Sequence, residues 1–153
     1  GGNMVNGSCD CQGMSMTANK IDSKPEIEKR WSIWRKEKQK RLKDDRGMGV
    51  SSMAVFDSLT RLAPSNAVMC VDVGNNAYSF GRYFEATAQS FLMSGYLGSI
   101  GFALPAALGA WAAVGSERPI VAVAGDGGLC QYLAEITTAV KYRMPIKVVV
   151  LNN

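Results

Sequence analysis

Two short clusters carry residue types that could do chemistry. The first is Gly125-Asp126-Gly127-Gly128, directly after the apolar run Ile120 to Ala124. A strand that turns through glycines into a helix presents backbone N–H groups at the helix N-terminus, a ready anion site. Glycine also lets an anion come close to the backbone. The segment GDGGLC is not a dinucleotide fingerprint, because the third glycine is missing, and no Lys-Ser/Thr follows to make a Walker loop. An acid in its centre repels phosphate unless a cation lies between. Mg²⁺ prefers oxygen ligands and commonly joins a carboxylate to phosphate oxygens. The plainer alternative is a tight turn with a capping aspartate. The second cluster is Asn152-Asn153, at the end of the apolar run Ile146 to Leu151. Amide oxygens are good ligands for hard cations. Asn153 lies 27 residues after Asp126, the length of one helix plus one strand. In a parallel sheet the two strand ends lie side by side, so Asp126 and Asn153 can share one metal.

The elements that must hold these clusters can be read from pattern. Pro25 opens a helical stretch to about Leu42, with Ile27, Trp31, Trp34 and Leu42 on one side and Lys and Arg around the rest. Ser51 and Ser52 can cap a helix carrying Val55, Leu59 and Leu62. Val68 to Val73 is a strand ended by Gly74-Asn75-Asn76, and Tyr78 to Gln89 reads as polar and irregular. Gly95 to Gly101 is a glycine-rich loop leading into an Ala-rich helix, Phe102 to Val114. After the strand Ile120 to Ala124, one helix is expected with Leu129, Leu133, Ile136 and Val140 on one face, then the strand Ile146 to Leu151. The strands do not alternate in polarity, so both their faces should be buried, as in a parallel sheet covered by helices. The expected fold is α/β, a doubly wound parallel sheet with helices on both faces, preceded by a linker helix. Ligands in such folds bind beyond the carboxyl ends of the strands, where the clusters after Val73, Ala124 and Leu151 fall.

The spacing GDG, 24 residues, NN resembles the signature of thiamine diphosphate-dependent enzymes. SGYLGSIGFALPAALGA (Ser94 to Ala110) is similar to the corresponding loop and helix of pyruvate oxidase and acetohydroxyacid synthase. DVGNNAYSFGRYF (Asp72 to Phe84) and GDGGLCQYLAEITTAVKYRMPIKVVVLNN look nearest to the pyruvate oxidase side. The resemblance covers about Ser51 to Asn153. It implies that Asp126 and the Asn153 side chain bind Mg²⁺, and that Gly127 and Gly128 offer backbone to the diphosphate. It implies that Gly98, Ser99 and Ile100 meet the cofactor's two rings, with Ile100 the apolar wedge that holds them in a V. Asn75 and Asn76 fall where family members contact the other end of the diphosphate.

The resemblance also implies what this chain lacks. The third metal ligand of the family is a backbone carbonyl two residues past the second Asn. The glutamate that activates the cofactor sits on a separate domain, usually of a partner subunit, so no catalytic residue is expected here and the segment alone should be inactive. A middle domain holds FAD in pyruvate oxidases, and Pro25 to Arg46 looks like the linker leaving it. The expected layout is a lead-in over 1–23, a basic linker helix over 24–49 and a diphosphate-binding domain over 50–153. The implied activity is decarboxylation of pyruvate or a similar 2-oxo acid, followed by oxidation. The alternatives are carboligation as in acetolactate synthase, and a non-enzymatic cofactor-binding or scaffold domain. A homo-oligomer with the site at a subunit interface is expected, and no nucleic acid.

Composition agrees. Of 153 residues, 47% are hydrophobic and 20% charged, which suits one ordinary globular domain. Histidine is absent, which excludes a Ser-His-Asp or Cys-His site and any imidazole base within this chain. The net charge of +4 is local: Lys24 to Arg46 holds ten basic and five acidic residues. Interspersed acids make that stretch a solvated helix face rather than a nucleic-acid patch. Cys9, Cys11, Cys70 and Cys130 form no paired framework, which points to a reducing cytoplasm, with a peripheral place at the membrane left open. The chain begins without Met and stops directly after an apolar strand, so a piece of a longer polypeptide is expected.

Overall fold

Pro25 sits in the first turn of helix α1 (Lys24–Leu42), where no intrahelical N–H is required of it. The structure, a computed structural model, describes residues 22–43 and 47–152. Most of the expected lead-in, Cys9, Cys11 and Asn153 lie outside the described residues. The chain divides into two units, Gly1–Lys36 and Glu37–Asn153. In the first, α1 carries Glu26 in its opening turn and an Arg30–Glu26 ion pair at 2.7 Å, both of which suit a helix. The expected apolar stripe is not buried: Ile27 and Trp31 are exposed. The Arg35 guanidinium lies 5.4 Å over the Trp31 ring, so this indole is partnered within its own helix.

The second unit is built on four parallel strands: β1 (Val68–Val71), β2 (Ser90–Met93), β3 (Ile120–Gly125) and β4 (Lys147–Leu151), in the order β2-β1-β3-β4. Around them lie α2 (Ser52–Leu62), α3 (Asn75–Tyr83), α4 (Ala103–Val114), α5 (Asp126–Gln131), a 3₁₀ turn (Leu133–Glu135) and α6 (Ile136–Lys141). Side chains alternate across a strand, so each face has its own core. Met69, Val71, Val121 and Val123 face Phe56, Phe80 and Phe84 on one side. Val68, Cys70, Ala122 and Ala124 face Ala103, Ala107 and Ala110 of α4 on the other. The first core is aromatic, with Phe80 stacked on Phe84 at 4.7 Å and edge-on to Phe56 at 5.7 Å. The second is lined by alanines, which have little side chain to hold the helix off the sheet. This is the doubly wound α/β architecture expected.

Several local expectations need correction. Of the stretch Tyr78 to Gln89, only residues 84–89 are irregular; Tyr78 to Tyr83 belongs to α3. Gly74, at φ +74°, turns the chain into α3, and Asn76, Phe80 and Phe84 form its buried face at four-residue spacing. The polar Asn76 hides that period. In α2 the buried residues are Met53 and Phe56, and Leu62 is 78% exposed. The helix after Gly128 is not continuous: it breaks at Tyr132 (φ −124°, ψ 25°), and Leu133, Ile136 and Val140 are left exposed. Only β1 and β3 are buried on both faces; β2 and β4 are edge strands open to solvent.

The capping expectation holds, since the Ala54 N–H donates to Ser51 Oγ at 3.2 Å. The end of α1 is held by a buried charge. Lys38 Nζ lies 2.9 Å from Asp57 Oδ1 of α2 and 3.3 Å from Glu85 Oε1, and donates to the Tyr83 carbonyl at 3.2 Å. Among the described residues no helix is long and apolar enough to cross a membrane.

Candidate functional site

The parallel sheet delivers β1, β3 and β4 to one edge. Gly125 of β3 pairs with Leu151 of β4, so Asp126 and Asn152 follow from neighbouring strand ends. Asp126 is exposed as the first residue of α5, whose cap is Gly125 in extended backbone (φ −75°, ψ 160°). Asn152 borders a cavity of about 890 Å³ that Ser79 and Tyr83 also line. Asn153, the second expected metal ligand, lies outside the described residues. Among the described residues, no three of His, Cys, Asp and Glu cluster as metal ligands.

The four positions of the GDGG turn differ sharply. Gly127 is exposed, and a Cβ there would meet nothing within 4 Å. Its backbone is open to a ligand. Gly125 abuts the buried Asn76, where a Cβ would come 2.9 Å from Nδ2. Gly128 is buried, and a Cβ there would collide with the Asp72 carboxylate and lie 3.2 Å from the Gly101 nitrogen. Asn76 therefore lies at the end of β3. Asn75, the first residue of α3, is exposed.

The loop Gly95 to Gly101 arrives from β2. The Gly98 N–H donates to the Ser94 carbonyl at 3.2 Å and the Ser99 N–H to Ser94 Oγ at 3.1 Å. Gly98 sits at φ +64° and Gly101 at φ +86°, the left-handed region that favours glycine. A Cβ on Gly101 would strike the Tyr132 ring at 2.5 Å and lie 3.1 Å from the Gly128 carbonyl oxygen. Ile100 is 58% exposed, an apolar side chain presented outward. The structure thus joins the loop 98–101 to the turn 125–128, and that turn to Asn76.

The joint is made by a residue absent from the sequence-derived candidates. Asp72 is 2% exposed at the end of β1. Its carboxylate accepts the Gly101 N–H (2.9 Å to Oδ1, 3.2 Å to Oδ2) and the Val73 N–H (2.9 Å). A signal for it was present: one acid inside the apolar run VMCVDV must be satisfied by donors if it is buried. Cys70, two residues earlier, is a core thiol, and burial pushes its pKa from an ordinary 9.0 up to about 11. Cys130, on α5, is exposed.

Comparison with known proteins places this arrangement. Residues 72–153 match the model of the thiamine pyrophosphate enzyme C-terminal TPP binding domain. The chain is 42% identical over 100 residues to YdaP of Bacillus subtilis (strain 168), whose name assigns it to thiamine pyrophosphate-containing proteins; 65% of this chain and 17% of the relative are covered. It is 37% identical over 105 residues to the acetolactate synthase isozyme 3 large subunit of Escherichia coli (strain K12), covering 68% of this chain and 18% of the relative. An X-ray structure from Mycobacterium smegmatis, described as that of a thiamin diphosphate-dependent enzyme, superposes with a TM-score of 0.58 at 33% identity, over 68% of this chain and 21% of that one. The chain thus spans about a fifth of the length of these relatives. With the matched segment running from Asp72 through the joined glycine clusters, the chain belongs to the thiamine pyrophosphate enzyme family and carries its C-terminal TPP binding domain.

Proposed function

We propose that this chain supplies the diphosphate- and Mg²⁺-binding half of the cofactor site in a 2-oxo acid enzyme acting on pyruvate or a close relative. The observation that supports this most is the pairing of Gly125 with Leu151, from which Asp126 and Asn152 follow at neighbouring strand ends, with Asn153 next in sequence. The residues present fit the group. Asp126 offers an exposed carboxylate at a helix N-terminus, Gly127 an unobstructed backbone, Gly128 a position that tolerates no side chain, and Gly125 a backbone packed against the Asn76 amide. Asp126 would hold the cation, with the Asn153 side chain as second ligand. Gly127 and Gly128 would face the diphosphate, and Asn75 and Asn76 its far end. Gly98, Ser99 and Ile100 would meet the rings, Ile100 as the exposed apolar wedge between them.

Thiamine diphosphate, when bound, supplies the electron sink that lets CO₂ leave a 2-oxo acid. The residues of this chain position and neutralise charge; with no histidine, none offers an imidazole base. We assign the activating carboxylate to a domain outside this chain, with the site at the interface of a homo-oligomer. The fate of the decarboxylated fragment has two readings. Oxidation, with FAD held elsewhere in the complete protein, is supported by the resemblance of Asp72 to Phe84 to pyruvate oxidases. Carboligation is favoured by the acetolactate synthase relatives in Escherichia coli and, at 35% identity, Methanococcus aeolicus. The test is to give pyruvate, Mg²⁺ and thiamine diphosphate to the complete protein and separate acetate from acetolactate, with a flavin spectrum in parallel. Acetate with a bound flavin supports oxidation and acetolactate supports carboligation. Cofactor binding with neither product would make this a binding domain only.

A further inference from the structure

The buried carboxylate of Asp72 is unlike the other polar groups of the site. It lies in the core, 2% exposed, and among the described residues no Lys or Arg pairs with it. A buried charge without a countercharge is costly unless hydrogen bonds replace its water. Here the donors are all backbone: the Gly101 N–H reaches both oxygens, at 2.9 and 3.2 Å, and the Val73 N–H reaches Oδ1 at 2.9 Å. On the side of Oδ2 the carboxylate packs against Gly128, at a position where any Cβ would overlap it. One side chain at the end of β1 therefore fixes the last residue of the loop 98–101 and sets how closely the turn 125–128 can approach it.

We infer that Asp72 is a positioning residue that sets the separation between the two halves of the cofactor pocket: the ring-facing loop Gly98–Gly101 and the diphosphate-facing turn Gly125–Gly128. This rests on the thiamine diphosphate reading above. Several features make the spacer function specific to a carboxylate. Gly101, at φ +86° and against the Tyr132 ring, has no side chain of its own with which to hold its place. Its N–H is buried, so the conformation of the loop end depends on an acceptor arriving from β1. Oδ1 accepts the Val73 N–H and the shorter Gly101 contact, while Oδ2 lies 3.2 Å from the Gly101 nitrogen and against Gly128; an amide would set an N–H donor against the Gly101 N–H there.

The test uses two probes on the complete protein, each with Mg²⁺: thiamine diphosphate, which spans loop and turn, and inorganic pyrophosphate, which engages the turn and the Asn75–Asn76 side but not the loop. In Asp72→Asn and Asp72→Ala, thiamine diphosphate affinity should fall about tenfold or more, the scale of one charge-assisted hydrogen bond. Pyrophosphate affinity should stay within about twofold, and Asn should lose less than Ala. Equal losses for both probes, or no loss for either, overturn the spacer role while leaving the functional reading intact. A wild-type protein that binds neither probe overturns both. Should the variants fail to fold, hydrogen exchange in the wild-type protein decides. The Gly101 amide should exchange slowly without ligand and slow further with thiamine diphosphate but not with pyrophosphate. Fast exchange in the unliganded protein, or the same response to both probes, refutes the proposal.

Discussion

Neighbouring glycines in the diphosphate turn should respond oppositely to the same substitution. In Gly128→Ala the new methyl falls on the Asp72 carboxylate and 3.2 Å from the Gly101 nitrogen. Asp72 has no free space to retreat into, being 2% exposed, and any rotation breaks its bond to the Gly101 N–H. Overfilling a packed site costs about 1–3 kcal/mol. A buried N–H left without an acceptor costs about 1–3 kcal/mol more. Together these suggest a loss of about 3 kcal/mol. Gly127→Ala meets nothing within 4 Å and has no positive φ to violate. In a helix an alanine there gains up to about 1 kcal/mol over glycine. The assay is urea unfolding of the complete protein, followed by fluorescence. With a slope of about 2 kcal/mol per molar urea, Gly128→Ala should lower the midpoint of this domain by about 1.5 M, while Gly127→Ala holds or raises it. Equal midpoints for the two variants would refute the contact between β1 and the turn.

Other predictions concern the core and its charges. Lys38→Met should destabilise by about 2–3 kcal/mol, because Asp57 and Glu85 lose the buried cation between them, although Asp57 keeps the exposed Arg61 at 3.2 Å. Adding Asp57→Asn and Glu85→Gln should restore most of that loss in chemical denaturation; no recovery would mean that lost packing, not stranded charge, is the cause. Cys70 should resist alkylation below about pH 10 while Cys130 reacts, as peptide mapping by mass spectrometry would record, since burial raises the Cys70 pKa to about 11. The raised pKa of an acid gives stability that is full below the ordinary 9.0 and declines as pH rises towards 11. A Cys70→Ser variant should therefore flatten the alkaline side of the stability profile.

The parts of this protein governed by short-range rules were legible from sequence. Glycine clusters after apolar strands and the Ser51 cap are local patterns that hold in the fold, and the span from Asp126 to Asn152 does return the chain to the neighbouring strand, though through broken helical turns rather than one helix. What escaped was set by tertiary contact. Asn76 occupies a core position of α3 because it lies against Gly125, a contact between segments some fifty residues apart, so the helical period of Asn76, Phe80 and Phe84 read as polar and irregular. The role of Asp72 is not visible in its motif, since its two donors come from Val73 beside it and Gly101 far along the chain. The apolar face of Leu133, Ile136 and Val140 misled in the other direction. Its period suggests burial, yet the chain breaks at Tyr132, whose ring instead packs on Gly101.

The central claim is that Asp126 anchors a cation-bridged diphosphate at the end of β3. Calorimetric titration of thiamine diphosphate into the complete protein, with and without Mg²⁺, tests it most directly when Asp126→Ala is run beside the wild type. Saturable binding that requires Mg²⁺ in the wild type, and a loss on the order of 100-fold in Asp126→Ala, is the predicted result, since even partners outside a metal's ligand set are worth about 10–100-fold. An unchanged titration in Asp126→Ala, or binding indifferent to Mg²⁺, would contradict the account.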